Sequence, residues 1–238
     1  RQMCIRDRYN GGLQWSTILR LPEFQNEFGM GWNGDHTELE NGSWGPRFDG
    51  SMQLWGNKYE NSQKLKPYSP IKNNIKDFFD AGFRYNNSVS FNGATDKSEY
   101  YVSFSQISDD GMIPTDADSY DKYTFSARGS HKVKALTFSS SLNYSYQKNK
   151  FATTGQGLTM LNSLYQTPRD VSIISLQDQN DIFNSPGYFY TPYGVMNPYY
   201  ILENYLNEYD AERFYGKFQV DYDFLKYFKF TYRMGLDT

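Results

Sequence analysis

The sequence predicts an all-β protein built from one open, antiparallel sheet of about seven strands. Along several segments apolar and polar residues alternate, which is the two-residue period of a strand with unlike faces. Tight turns and long connections alternate along the chain. Aromatic residues make up 18% of the 238 residues, while the mean hydropathy is only −0.76. The apolar side chains are therefore large but few, as expected for a thin apolar skin rather than a thick core.

The strands follow from this alternation in chain order. The clearest case is RFYGKFQVDYDFLKYFKFTYRMGLD, in which large apolar residues occupy nearly every second position. This segment is interpreted as two strands that meet around Leu225 and Lys226. A short helix is predicted over Gly157–Thr167. The other five predicted strands are Tyr9–Leu19, Tyr85–Gly93, Ser98–Ser108, Asp121–Ser130 and Lys134–Gln147.

The connections between these strands differ strongly in length. Residues 94–97 and 131–134 form tight turns, and so does the turn near Leu225. The long connections are Arg20–Arg84, Asp109–Tyr120 and Asn149–Ala211. Loops of that length are uncommon in compact domains. Short periplasmic turns and long extracellular loops are typical of outer-membrane barrels.

The fold class predicted is a fragment of an antiparallel transmembrane β-barrel. Phe214–Phe224 would span about 36 Å as a strand at roughly 3.3 Å per residue, or about 25 Å along the membrane normal when tilted. No apolar run is long enough for a membrane-spanning helix, but a spanning strand needs only about 9–11 residues. The opposite face, rich in Ser, Thr, Asn, Lys and Asp, suits a wet lumen. A soluble β-sandwich is the alternative, although its core would be poor in Ile and Val.

Charge and cysteine content exclude other classes. A net charge of −3 without a Lys/Arg stripe argues against nucleic acid as a partner. A single cysteine, Cys4, excludes an internal disulfide framework. Residues 1–8, RQMCIRDR, do not alternate and are interpreted as a non-native segment, either a cloning remnant or a sequence-assembly artefact. A frayed natural terminus is the alternative.

Aromatic residues in the long connections are candidates for contact with a substrate or a lid. Flat aromatic faces pack on the apolar faces of sugars, and tyrosine hydroxyls form hydrogen bonds. The alternative is that these rings fold the loops upon themselves. Arg47 and Asp49, within WGPRFDG, are predicted to form an ion pair that structures the loop. The substrate-contact candidates are Trp32, Trp44, Trp55, Tyr188, Tyr190, Tyr193 and Tyr199.

Patterns typical of catalysis or metal binding are weak. Asp221 and Asp223 would lie about 6.6 Å apart on one strand, near the carboxyl spacing of an inverting glycosidase, but such pairs normally face each other across a cleft. Asp116–Asp121 lacks the glycine and glutamate of a calcium loop. His36 and His131 show no zinc-ligand spacing. No catalytic site, metal or cofactor is expected.

Several stretches resemble a known family. They are LRLPEFQNEFGMGWNG (Leu19–Gly34), SWGPRFDG (Ser43–Gly50), and the runs Asn73–Pro114 and Asn197–Phe224. Within them W-G-P-R-x-D-G, D-F-F-x-x-G followed by N-S-V-S-F, and N-P-Y followed by E-N occur in order. Over Tyr9–Thr238 the chain resembles the SusC/RagA family of TonB-dependent outer-membrane transporters of Bacteroidota.

The resemblance implies a cell outer membrane location and a role in nutrient import without catalysis. Members are 22-stranded barrels with an N-terminal plug. They import oligosaccharides or peptides together with a SusD-like lipoprotein lid and the TonB complex. Residues 9–238 would be the N-terminal part of the barrel, with the plug and remaining strands absent. The alternatives are a secreted carbohydrate-binding β-sandwich module and, less favoured, a glycoside hydrolase.

Overall fold

A computed structural model describes residues 4–225 and 227–238. In this part of the chain the fold is all-β, with one large antiparallel sheet, a separate two-stranded hairpin and two short α-helices. No helix among these residues is long and apolar enough to cross a membrane. The strands are β1 (Cys4–Ser16), β2 (Met52–Tyr59), β3 (Ser62–Pro67), β4 (Gly82–Ala94), β5 (Ser98–Asp109), β6 (Tyr120–Val133), β7 (Leu136–Ala152), β8 (Leu206–Phe224) and β9 (Phe228–Asp237), and the helices are α1 (Met160–Gln166) and α2 (Pro198–Asn204).

The large sheet has the order β1-β4-β5-β6-β7-β8-β9, and each neighbouring pair is antiparallel. From β4 onward every strand pairs with the next one along the chain. The pair β1 and β4 encloses the β2–β3 hairpin, which forms its own sheet. Among the described residues the sheet is open, with β1 and β9 as its edges.

The register places residues of like character side by side. In one row across four strands, Phe104 pairs with Phe125, Phe125 with Tyr144, and Tyr144 with Phe214. We call the surface in phase with this row the apolar face. The polar face is the opposite surface, in phase with Ser103, Ser126, Ser141 and Lys217. The alternation predicted from sequence is therefore continuous across neighbouring strands.

Connections of unlike length lie at opposite ends of the sheet. Residues 95–97, 134–135 and 225–227 join strands at one end, and residues 17–81, 110–119 and 153–205 join them at the other. This confirms the predicted pattern of short and long connections. We call the three long connections together the loop cap.

The hydrophobic core lies in the loop cap rather than against the sheet. Met30, Leu164 and Leu202 are completely buried there. Of the apolar residues that are buried in the described part of the chain, only Ala152 belongs to the seven-stranded sheet. The sheet therefore positions the loop cap at one end but has no core of its own.

Two details differ from the sequence prediction. The first strand begins at Cys4 rather than Tyr9 and ends at Ser16, because residues 4–8 continue the pairing with β4 as far as Ala94. Residues 1–3 lie outside the described residues, and the non-native origin of residues 1–8 stays a prediction. The β2–β3 hairpin within the first long connection was not predicted, whereas the helix expected over Gly157–Thr167 is confirmed as α1.

Candidate functional site

The aromatic candidates divide into a buried and an exposed group. Trp55 and Tyr190 are only 5% and 2% exposed, and their ring centroids lie 5.6 Å apart. Tyr199 is buried as well, with its ring 5.0 Å from that of Phe78. Tyr188 is half-buried and packs edge-on against Tyr59. In this structure the buried rings pack in the core of the loop cap, and Trp55 also lines a cavity of about 450 Å³.

Trp32 and Trp44 remain 56% and 70% exposed, respectively. Both line a surface cavity of about 400 Å³, which we call the aromatic cleft. Its other walls include the rings of Phe24, Phe28 and Tyr165 and the polar side chains of Glu40, Asn41 and Gln166. Exposed aromatic rings beside a few polar groups are typical of ligand-binding cavities.

Backbone hydrogen bonds hold the two tryptophans at this cleft. The Trp44 amide donates to the Gly31 carbonyl at 3.0 Å, and the Trp32 amide donates to the Asp35 carbonyl at 3.0 Å. Gly31 has a φ of 145°. A Cβ at this position would also collide with the Asp35 carbonyl oxygen and with Gly45, so the turn that presents Trp32 requires glycine.

Tyr193 lies beside the cleft and is exposed. Its carbonyl accepts a hydrogen bond from the Asn41 side chain at 3.3 Å, and the same Asn41 amide donates to Gln166 Oε1 at 2.6 Å. Asn41 thus connects the first and third long connections at the edge of the cleft. Of the seven candidates, the structure brings Trp32, Trp44 and Tyr193 near one another.

Arg47 and Asp49 each structure the loop, but with other partners than predicted. Arg47 forms an ion pair with Glu27 at 3.0 Å, and its guanidinium lies 5.2 Å from the centre of the Phe28 ring. Asp49 Oδ1 accepts hydrogen bonds from the Ser51 hydroxyl at 2.6 Å and the Ser51 amide at 2.9 Å. The Ser51 hydroxyl bond, followed by the amide bond, lowers the pKa of Asp49. These contacts replace the expected Arg47–Asp49 ion pair.

A buried arginine that the sequence did not single out joins two long connections. The Arg169 guanidinium donates to the Gln25 carbonyl at 3.0 Å, to Asn26 Oδ1 at 2.9 Å and to the Ile71 carbonyl at 3.1 Å. Burial lowers the pKa of Arg169. The partners lie 98 to 144 residues away along the chain, so no local pattern could reveal them.

A buried ion pair lies next to it and was also missed. Lys66 Nζ is 2.6 Å from Asp170 Oδ2, and both side chains are almost completely buried. Asp170 Oδ1 accepts a hydrogen bond from the Met30 amide at 2.8 Å. Burial lowers the pKa of Lys66 to about 8, although the Asp170 carboxylate opposes this shift. The Lys66 ammonium also lies 5.0 Å from the centre of the Trp55 ring, so the pair is built into the core of the loop cap.

The aspartates considered for catalysis and calcium binding have structural partners. Asp221 accepts hydrogen bonds from Gln219 at 2.8 Å and from Thr231 at 2.6 Å, both on the same sheet. Asp118 accepts hydrogen bonds from the amides of Met112 and Ile113, each at 2.9 Å, and so closes a turn. These contacts account for the carboxylates as parts of the sheet and of a loop.

The histidines are likewise held by local contacts. His36 is hydrogen-bonded to the carbonyls of Met30 and Leu54, and His131 to the Ser98 hydroxyl. In the described part of the chain no group of three or more His, Cys, Asp or Glu residues is placed to hold a metal ion. The aromatic cleft is therefore the best candidate for ligand contact in the loop cap.

Comparisons of the chain with protein-family models and with curated proteins found no match. Function is therefore inferred from the residues and their geometry.

Proposed function

We propose that this chain is part of an outer-membrane transporter that imports large nutrients, glycans or peptides, with no catalysis of its own. The observation that supports it best is an exposed apolar band without Asp, Glu, Lys or Arg on strands β4 to β9. The band begins at the row that contains Phe125 and Phe214 and ends at the hairpin pair Phe224 and Phe228.

Charged residues bound this band on the side of the loop cap. In the row formed by Asp121, Lys148 and Asp210, all three side chains are charged and point to the apolar face. From Phe214 to Phe224 the band follows β8 for about 36 Å at roughly 3.3 Å per residue. Tilted by about 45°, it covers roughly 25 Å, which is the height of the lipid-facing band of outer-membrane barrels.

The large side chains of the band are not covered by a second layer in the described structure. Leu142, Phe218 and Phe230 are 46%, 40% and 58% exposed. A β-sandwich would bury such residues between two sheets, and a continuous apolar surface of this size in water favours aggregation. Contact with lipid gives the band an apolar environment, so its exposure favours the transporter over the carbohydrate-binding sandwich.

The remaining features fit the same proposal. The polar face would line a wet lumen, and the tight turns and loop cap would lie on the periplasmic and extracellular sides. The aromatic cleft would contact a glycan or peptide, or the lid. The SusC/RagA resemblance implies a SusD-like lipoprotein and the TonB complex as partners, and a location in the cell outer membrane.

The proposal is tested by attaching an environment-sensitive fluorophore to neighbouring residues of β7. Leu142→Cys labels the middle of the apolar face, and Ser141→Cys, the matched control, labels the polar face of the same strand. Both variants carry Cys4→Ser, are folded into lipid vesicles, and are measured with and without nitroxide-labelled lipids.

We expect blue-shifted emission and strong quenching by the lipid nitroxides for the label at Leu142, and weak quenching for the label at Ser141. Equal exposure of both labels to water in folded, vesicle-bound chain would overturn the proposal.

A further inference from the structure

The polar face of the sheet contains a second cavity, of about 350 Å³, that none of the functions above explains. It lies on strands β5 to β8. None of its lining residues therefore belongs to residues 1–8, the segment whose native origin is in question. We call it the cationic trough. The residues that line it include Tyr101, Ser103, Ser126, Arg128, Asn143 and Lys217. No carboxylate is among its lining residues, although Glu99 lines a larger cavity, of about 710 Å³, that shares Arg128 and Lys217 with the trough.

The register brings its two cations to either side of one serine. Arg128 is directly opposite Ser141, and Ser141 is directly opposite Lys217. Two strand spacings separate the backbones of Arg128 and Lys217, which is about 10 Å. Long side chains at this separation can reach one ligand group between them.

Both cations lack an acidic partner. Neither Arg128 nor Lys217 forms an ion pair with any residue that the structure describes. In contrast, Arg213 on the same face is paired with Asp237 at 2.6 Å. The sheet thus pairs a nearby arginine internally but leaves these two cations available.

Neighbouring side chains orient one cation and supply further donors. The Arg128 guanidinium lies 4.6 Å from the centre of the Tyr101 ring, a distance that favours cation–π attraction. The Ser126 hydroxyl donates to Asn143 Oδ1 at 2.9 Å, which fixes the Asn143 amide. Small serines leave room above the backbone, and a guanidinium with an ammonium is a strong combination for carboxylate or sulfate oxygens.

We propose that the cationic trough binds the carboxylate or sulfate group of an anionic cargo molecule. Binding to the trough requires the folded sheet and not transport, whereas the transport of the bound molecule rests on the proposed function. The trough would select among nutrients by charge, on a face separate from the aromatic cleft.

The test is calorimetric titration of the full chain folded in uncharged detergent, at constant ionic strength. The probes are a sulfated disaccharide, a uronic acid disaccharide, the matching neutral disaccharide and a tetraglutamate peptide. Arg128→Gln and Lys217→Gln remove one cation each, and Lys217→Arg keeps the charge. Lys132→Gln, on the same face but outside the trough, is the matched control.

We expect both anionic disaccharides to bind and the neutral one not to bind. Loss of either cation should weaken binding roughly tenfold, as for one charge-assisted hydrogen bond, while Lys217→Arg and Lys132→Gln should change it less than about threefold. Circular dichroism checks that each variant has folded.

Equal binding of neutral and charged sugars, or an equal loss in the Lys132→Gln control, would overturn the proposal. Tighter binding of tetraglutamate than of the sugars, by more than tenfold, would also overturn the proposal, because the trough would then be a protein-docking surface. Absence of binding in the folded chain would overturn it too, without affecting the lipid-quenching result that tests the transporter.

Discussion

The loop cap and the seven-stranded sheet belong to one chain but are stabilised in different ways. The loop cap buries apolar side chains such as Leu164 and Ile173 and ties them together through Arg169 and the Lys66–Asp170 pair. The sheet has continuous backbone pairing but leaves Leu142 and its neighbours exposed. The hydrophobic effect in water can therefore support the loop cap, whereas the sheet depends on what contacts its apolar face.

The largest expected effect comes from the core of the loop cap. Asp170→Ala leaves the Lys66 ammonium buried without its partner, which should lower the free energy of unfolding by about 3–5 kcal/mol. Urea unfolding followed by tryptophan fluorescence measures it. The matched control, Lys66→Met with Asp170→Asn, removes both charges but keeps an acceptor for the Met30 amide, and should cost much less. An equal loss in the double variant would show that the pair is not the cause.

The next effect tests the sheet. Under the proposed function Leu142 contacts lipid, so Leu142→Arg should destabilise the chain in a bilayer by about 2–4 kcal/mol, the cost of an arginine on a lipid face at the midplane. Ser141→Arg, one position along on the polar face, should cost far less. Unfolding titrations from vesicles give both values. Similar costs for the two variants would contradict the difference between the faces.

The pH dependence of the loop cap is the third test. Burial lowers the pKa of Lys66 to about 8 from 10.5. The unfolded chain then binds more protons between these values, so stability should rise with pH in this window by up to about 1.4 kcal/mol per unit.

Burial also raises the pKa of Tyr68 to about 12. Above about pH 10 the unfolded tyrosine ionises first, so this group makes stability fall again. Urea unfolding from pH 7 to 11 should therefore pass through a maximum. In Lys66→Met the rise of stability with pH should be much smaller. An unchanged rise in that variant would show that other titrating groups cause it.

The smallest effect is expected for an exposed contact of the loop cap, and a substitution in its core serves as the comparison. Arg47→Ala removes an exposed ion pair with Glu27 and should change the free energy of unfolding by less than about 1 kcal/mol. Trp55→Ala, in the core, should cost about 3–5 kcal/mol. Thermal unfolding of the two variants side by side measures the contrast, and a loss at Arg47 as large as at Trp55 would contradict it.

Sequence patterns predicted the sheet far better than the loop cap. The alternation in β8 and β9 is local, since adjacent residues of a strand point to opposite faces whatever the rest of the fold does. The β2–β3 hairpin lies in a segment where that alternation is weak, and its register shifts between Trp55 and Tyr59. The candidate aromatic residues were found by type, but their exposure was not predictable.

The sequence by itself determined the all-β class, the two unlike faces of the strands, and the alternation of tight turns with long connections. All three follow from the identities of residues near one another in the chain. Only the tertiary structure decided that Trp55 is buried while Trp44 is exposed, and that Asp170 meets Met30 from 140 residues away. It also decided that Arg128 and Lys217 share one trough. The physical reason is that burial and pairing depend on contacts between distant segments, which residue type and spacing do not encode.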